Sequence, residues 1–347
     1  MGSPAAALAG APLQPVRATA AVAHDADDPA IWISPRNPAE SLIVGTDKAA
    51  QTGGLYVFSL DGVVRQVIQP LDRPNNVDIE YALALRGTPT DIAVVTERKR
   101  HRLRVFAIRG GEVPLTDLAP EGIPVLEGQS GDAGEPMGIA LYRRARDGAV
   151  FAIVAPKTGA ATNYLWQYRL EGTPEGSIRG QLVRRFGAFS GVGPQAGSSG
   201  EIEAITVDDA LGYVYYSDER YGIRKYAADP AQPDAGRELA VLGSDGYLGD
   251  REGLAIYPTG EGTGYLVSSD QISGGTRLVV YPREGLSGRP HDQPRLTEIP
   301  TVSDETDGLD VVARAVPGFP HGLVVMMNSG ARTFLMYDWD AVRSRIP

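Results

Sequence analysis

The sequence predicts an all-β fold, a single-domain six-bladed β-propeller. Three observations carry that prediction: a strand unit that recurs six times, turn residues scattered along the whole chain, and no helical period between the strands. The unit is a strongly apolar strand, a short loop with charged or amide residues, and a second strand rich in aromatics. Its copies begin at Leu42 (LIVGTDK, then GLYVFSLDG), Asp91 (DIAVVTER, then RLRVFAI) and Ala149 (AVFAIVAPK, then LWQYRL). Three more begin at Gly212 (GYVYYSDE, then GIRKYAAD), Gly264 (GYLVSSDQ, then RLVVYPREG) and Gly322 (GLVVMMNSG, then TFLMYDWD). Their onsets lie 49, 58, 63, 52 and 58 residues apart.

A third apolar segment that opens with carboxylates precedes each copy. These segments are DADDPAIWI (25–33), VDIEYALAL (77–85), EPMGIALY (135–142), EIEAITV (201–207), REGLAIY (251–257) and TDGLDVV (306–312). Three strands and a variable fourth make one propeller blade. A β-sandwich would also need regular turns, but nothing in its architecture repeats one three-element unit six times. No seventh copy exists, so residues 5–22 are expected to lend a strand to the last blade and close the ring, removing exposed sheet edges. The propeller is thus assigned to residues 13–347. Residues 1–12 are read as a flexible terminus or cloning remnant, since Met1-Gly2-Ser3-Pro4 lacks a basic leader region.

The 42 glycines and 26 prolines are spread through the chain rather than gathered into linkers, as many tight turns require. The net charge of −10 argues against a nucleic-acid role, which needs a concentrated basic face. The absence of cysteine excludes disulfides, thiolate metal sites and cysteine nucleophiles. No run approaches the ~18 apolar residues of a membrane span. HExxH, Walker and GxSxG motifs are absent, and the four histidines fall in unrelated local patterns; His24 and His321 are the two that could approach a central mouth.

In a propeller the first strand of each blade lines the axial channel. Carboxylates at the starts of those strands therefore gather at one mouth: Asp27, Asp28, Asp78, Glu80, Glu135, Glu201, Glu203, Asp250, Glu252, Asp307 and Asp310. Like charges so close must protonate or be neutralised, and a hard divalent ion with oxygen ligands does this directly, calcium tolerating irregular loops better than magnesium. The loops after the second strands open at the same mouth and carry Asp47-Lys48, Glu97-Arg98-Lys99, Lys157, Asp218-Glu219, Asp270-Gln271 and Asn328. Lys48, Arg98 and Lys157 belong to consecutive blades, which makes one sector basic beside an acidic rim. Such an arrangement suits a polyanion whose phosphates are gripped from both sides.

These residues also carry a resemblance. DADDPAIW (25–32), NNVDIEY (75–81), the E-x-x-x-x-D-D of 203–209, the D-x-E-G-L of 250–254 and the TDG-hydrophobic-D of 306–310 resemble the β-propeller phytases, the calcium-dependent alkaline phytases of bacteria. The resemblance implies several calcium ions, some structural and some catalytic. It implies that Asp27, Glu203, Glu219, Asp250, Glu252 and Asp307 bind active-site calcium, and that Asp28, with backbone oxygens around Pro29 and Val77, forms a structural calcium site. Lys48, Arg98 and Lys157 would bind phosphate, with Asp27, Glu203 and Glu219 also taking catalytic parts.

The implied reaction is hydrolysis of phytate, myo-inositol hexakisphosphate, by metal-activated water in a monomeric protein that is secreted or periplasmic. Four features depart from the family pattern: Glu80 stands where arginine is usual, Met137 where tyrosine is frequent, and Asn328 where Gln-Asp is frequent, while Asp304 and Glu305 have no assigned role. Two alternatives remain open on residues alone. One is a calcium-stabilised propeller that binds an anionic ligand or partner without catalysis, and the other is a calcium-dependent lactonase or esterase.

Overall fold

Each of the six repeats folds as an antiparallel sheet whose first strand lies innermost. The computed structural model describes residues 10–195 and 198–347; the expectation for residues 1–12 lies, for its first nine residues, outside the described residues. Blade 1 comprises Ala26–Trp32, Leu42–Asp47, Gly53–Ser59 and Val64–Leu71, from the inside outward. Blade 2 comprises Pro74–Leu85, Thr88–Glu97 and Arg102–Ile108, with two short outer pieces, Leu115–Asp117 and Ile123–Pro124. Blade 3 comprises Pro136–Arg143, Val150–Pro156, Thr162–Gly172 and Ile178–Ala188. Blade 4 comprises Ile205–Asp208, Tyr213–Asp218, Gly222–Ala227 and Ala240–Leu242. Blade 5 comprises Asp250–Pro258, Gly264–Gln271, Arg277–Pro282 and Thr297–Pro300.

Blade 6 has three strands of its own, Leu309–Val312, Leu323–Asn328 and Thr333–Asp338. Its fourth is Arg17–Ala18, which pairs Arg17 with Met336 and Ala18 with Leu335. The chain start thus closes the ring on the chain end, as the missing seventh copy required.

The second strands read as unbroken apolar runs because both of their faces are covered. Ile43 of blade 1 packs with Val325 and Met327 of blade 6, while its neighbour Val44 packs with Ala93 and Val95 of blade 2. The pattern repeats around the ring. Ile92 and Val94 meet Ala152 and Val154, Ile153 meets Val214 and Tyr216, and Tyr215 meets Leu266. Val267 then meets Val324 and Met326, which completes the circuit. One apolar cluster therefore fills each blade interface, and the core is a ring around the channel.

Two features of the innermost strands aim side chains at the mouth. The pairing with the second strand shifts register at the same place in four blades: between Ala26 and Pro29, Pro74 and Val77, Pro136 and Ile139, and Arg251 and Leu254. Such bulges re-aim side chains that regular pleating would send into the blade interface. A buried hydroxyl on the second strand holds three of them: Asp28 N–H donates to Thr46 Oγ1, Asn76 N–H to Thr96 Oγ1, and Gly253 N–H to Ser269 Oγ, at 3.0, 3.1 and 2.7 Å. Neighbouring inner strands also approach closely at glycines. A Cβ on Gly138 would meet the carbonyl oxygen of Glu203 at 2.2 Å, and one on Gly308 would meet Asp28 Oδ1 at 2.0 Å.

Candidate metal and phosphate site

The loop after each second strand is tied to the chain just before the first strand of its own blade. The N–H groups of Lys48, Arg98, Lys157 and Glu219 donate to the carbonyls of Asp25, Arg73, Glu135 and Glu201. These four residues therefore occupy equivalent positions, and their side chains sit beside the entrance to the channel. Blades 1 to 3 present cations there and blade 4 presents a carboxylate.

On the acidic side, Lys48 Nζ lies 2.7 Å from Asp27 Oδ1 and 2.5 Å from Asp307 Oδ2. Gln271 donates to the other oxygen of Asp307 at 2.5 Å. Burial raises Asp27 to about 7 and Glu203 to about 7; the charge of Lys48 opposes both shifts and other carboxylates add to them. Asp307 is likewise raised by burial. Glu219 and Glu252 are pushed well above the usual carboxylate range, first by burial and then by repulsion from neighbouring acids: Glu203, Glu201 and Asp250 on Glu219, and Glu219, Glu203, Asp307 and Asp250 on Glu252. Lys48 shows the converse: burial disfavours its charge, but Asp27, Asp307 and Glu203 outweigh that and raise it. The structure thus brings Asp27, Glu203, Glu219, Asp250, Glu252 and Asp307 into one electrostatic cluster.

On the basic side, Arg98 is buried. Its Nε and Nη2 donate to Glu135 Oε2 at 3.2 and 3.0 Å, and its Nη1 donates to Asn75 Oδ1 at 3.0 Å. Asn75 in turn donates to Glu203 Oε1 at 3.1 Å. A continuous path therefore runs from Glu135 through Arg98 and Asn75 to the acidic cluster. Lys99 also pairs with Glu135, and Lys157 pairs with Glu201. Burial pushes Glu135 up, but hydrogen bonds from Lys99 and Arg98 outweigh it and hold Glu135 below its ordinary value.

Asp78, Glu80 and Asp310 do not belong to the mouth, which corrects the sequence expectation. Asp310 lies three residues beyond Asp307, a rise of about 10 Å along a strand. Its Oδ2 accepts the Ile31 N–H of blade 1 at 2.7 Å. Asp28 Oδ2 accepts the Val77 N–H of blade 2 at 2.9 Å, and Asp78 Oδ2 accepts the Leu141 N–H of blade 3 at 2.6 Å. Arg143 N–H of blade 3 completes the series on Asp209 of blade 4 at 3.1 Å. These carboxylates staple one inner strand to the next. Glu80 is buried at the lower end of the channel, where burial and the adjacent Asp209 raise it to about 9.

Asp47, Glu97, Asp218 and Asp270 also point away from the mouth. Asp47 accepts the N–H groups of His24 and Asp25, and Glu97 accepts that of Asp72. Asp218 accepts that of Ser190, while Asp270 accepts those of Leu248 and Gly249. Each latches the incoming inter-blade connection. His24 pairs with Asp47, and His321 pairs with exposed Asp340.

The departures also have structural places. Met137 is buried, with its carbonyl accepting from Thr96 Oγ1 at 2.8 Å. Asn328 Oδ1 accepts the Asp304 N–H, and Asp304 Oδ1 accepts that of Gly274. Glu305 takes a positive φ of 42° in that turn. Gln271 reaches the mouth as its loop predicted, whereas residues given no role from the sequence are Asn75 and the Thr46–Thr96–Ser269 series. The last was visible as a hydroxyl residue recurring just before the charged loop.

Two acidic oxygens of the cluster, Asp27 Oδ2 and Glu252 Oε2, are buried without a hydrogen-bond partner, while Asp250 Oδ1 lies against Arg220 Nε. Buried carboxylate oxygens left without a donor suit a hard cation with oxygen ligands. Among the described residues, no three carboxylate or imidazole groups stand as a ready-made ion cage. Lys48 instead holds Asp27 and Asp307. Below the mouth, Asp28, Pro29, Val77, Asp78 and Asp310 line a hollow of about 50 Å³, large enough for an ion or a few waters.

The molecule is thus a six-bladed propeller with a carboxylate cluster and a basic sector at one mouth. The chain belongs to the phytase family, whose description, "Phytase", matches residues 5–332. It is 30% identical over 308 residues to a 3-phytase of Bacillus subtilis (strain 168), covering 87% of this chain and 74% of the relative. Among solved structures it resembles two putative 6-phosphogluconolactonases at 10% identity, which shows the fold alone. That from Bacteroides fragilis has a TM-score of 0.53, covering 92% of this chain and 82% of the other. That from Bacteroides uniformis has a TM-score of 0.51, covering 89% and 80%.

Proposed function

We propose that the protein releases inorganic phosphate from myo-inositol hexakisphosphate, using calcium held by the mouth carboxylates. One observation carries the reading: the Arg98–Asn75–Glu203 path joins a buried cation to a carboxylate cluster that still has orphaned oxygens. A purely structural cluster would have its oxygens internally satisfied, as the Asp28, Asp78 and Asp310 staples have in part.

Asp27, Glu203, Glu219, Asp250, Glu252 and Asp307 are the residues that would hold calcium at the mouth. Asp28 and the backbone oxygens of Pro29 and Val77 would hold it in the hollow beneath. Bound calcium supplies positive charge against phosphate oxygens and acidifies water. The remaining work falls to the chain's own residues. Arg98, fixed on two sides by Glu135 and Asn75, offers a preset planar donor for a phosphate at little entropic cost. Lys48 and Lys157 are less constrained, and each can turn from its carboxylate to a phosphate of the same polyanion. Asn75 donates to Glu203 Oε1 and so orients one of the carboxylates that would hold the ion.

The test is a substrate panel. Phosphate release from calcium phytate should exceed release from a simple phosphomonoester, because the basic sector spans more than one phosphate. Hydrolysis of a lactone or carboxylic ester with no phosphate release would overturn the reading.

A further inference from the structure

Arg220 follows Glu219 in the blade 4 loop, and its guanidinium crosses to blade 5. Its Nη2 donates to Asp250 Oδ2 at 3.0 Å, while its Nε lies against Asp250 Oδ1 without the alignment of a hydrogen bond. Both oxygens of Asp250 therefore face one guanidinium. Glu252 Oε2, by contrast, is buried with no hydrogen-bond partner. The field of Asp250 reaches both Glu219 and Glu252, so whichever cation sits on Asp250 governs that edge of the cluster.

The backbone around Arg220 is pinned. Tyr221 N–H donates to the Asp218 carbonyl at 2.7 Å, and the Tyr221 ring lies under the Arg224 guanidinium at 4.3 Å. The Arg220 side chain, by contrast, keeps 29% of its surface exposed. It can rotate toward solvent without moving the loop. Lys48, Arg98 and Lys157 serve blades 1 to 3; on the blade 4–5 side Arg251 is buried and spent on backbone carbonyls, and Arg220 is a partly exposed cation.

We propose that Arg220 is a tethered counter-ion that competes with divalent metal for Asp250 and, when displaced, binds a phosphate of the substrate. The inference rests on the reading of the mouth as a calcium and phosphate site. A divalent ion would take the same carboxylate with twice the charge of the guanidinium, and a phosphate offers the released guanidinium a two-pronged partner. Arg220 would thus couple metal loading to substrate binding.

Calcium titration calorimetry on chelator-treated, dialysed wild type, R220Q, D250N and the double variant tests this. R220Q should bind calcium about tenfold more tightly, equivalent to about 1.4 kcal/mol. That gain should vanish in the D250N background. R220K keeps the charge but not the fork, so it should lie between wild type and R220Q; it also carries the test should R220Q fold poorly. With calcium saturating, KM for phytate should rise severalfold in R220Q with a smaller change in kcat. An unchanged R220Q isotherm would overturn the inference. So would an equal gain with Asp250 replaced, which would mark a general field effect. A wild type that takes up no calcium refutes the reading of the mouth itself and this inference with it, whereas a wild type that does so beside an indifferent R220Q refutes the role of Arg220 alone.

Discussion

Removing divalent metal should reverse the pH dependence of stability. Asp27 is almost fully buried and is raised by that burial to about 7 against an ordinary 3.8. In the unfolded chain it loses its proton near pH 4, whereas the folded chain holds that proton until about pH 7. Between those values the folded state binds more protons, so stability falls as pH rises and levels off above the folded value. A shift of about three units at about 1.4 kcal/mol each amounts to roughly 4 kcal/mol for this one group. That is a large share of the 5–15 kcal/mol by which domains are typically stable. Glu203, Glu219, Glu252 and Asp78 are shifted in the same direction. In chelator, the melting temperature should therefore drop between about pH 5 and about pH 8, by roughly 4 °C for Asp27 alone, since the two or so units titrated in that interval amount to roughly 3 kcal/mol. With calcium present the ionised carboxylates are the bound form, so stability should instead hold or rise over that interval. Thermal unfolding followed by circular dichroism, with and without chelator, reads both curves. A chelated protein whose melting temperature stays flat or rises over the interval would refute the reasoning.

Four further outcomes follow from particular contacts. Asp28→Ala leaves the buried Val77 N–H without its acceptor and should cost about 1–3 kcal/mol in denaturant unfolding; Glu203→Gln should lower turnover with far less effect on stability, and equal losses of stability would contradict that division. Gly138→Ala drives a Cβ into the Glu203 carbonyl, a backbone clash that no rotamer relieves, so phosphate release should fall more than tenfold in a protein that still folds by circular dichroism. Thr96→Val removes the hydroxyl that joins Asn76 and Met137 and should destabilise by about 1–3 kcal/mol, measured by the denaturant midpoint. Arg98→Lys keeps the charge but loses the fork to Glu135 and Asn75, so KM for phytate should rise severalfold in steady-state kinetics.

The fold was legible because the second strands are covered on both faces. LIV, IAVV, FAIV and LVV are runs that only doubly buried strands favour, and they recur at blade spacing. The fourth strands were not legible. Ala240–Leu242 and Thr297–Pro300 are three and four residues long, with half-exposed positions and little pattern. Ring closure by Arg17–Ala18 could be inferred only from the missing seventh copy, since two residues carry no period of their own.

At the site, the sequence placed acids and bases at one end but could not rank their depth. Asp307 and Asp310 look alike as letters, yet three residues of rise separate a mouth carboxylate from an inter-blade staple. Asp47 and Lys48 are adjacent, but alternate residues of a strand face opposite ways. One latches a connection while the next reaches the mouth. Asn75 lay inside the NNVDIEY motif without a role and Arg220 gave no signal, because each acts through a partner on another blade, Glu203 or Asp250, that is distant in sequence.

The most direct test of the account is phosphate release from phytate by one preparation, followed through chelation and then restoration of calcium while circular dichroism tracks the fold. The account predicts release that stops on chelation and returns with calcium, in protein that stays folded at mildly acidic pH throughout. Release that persists in excess chelator would contradict it, as would folded, calcium-loaded protein that never releases phosphate.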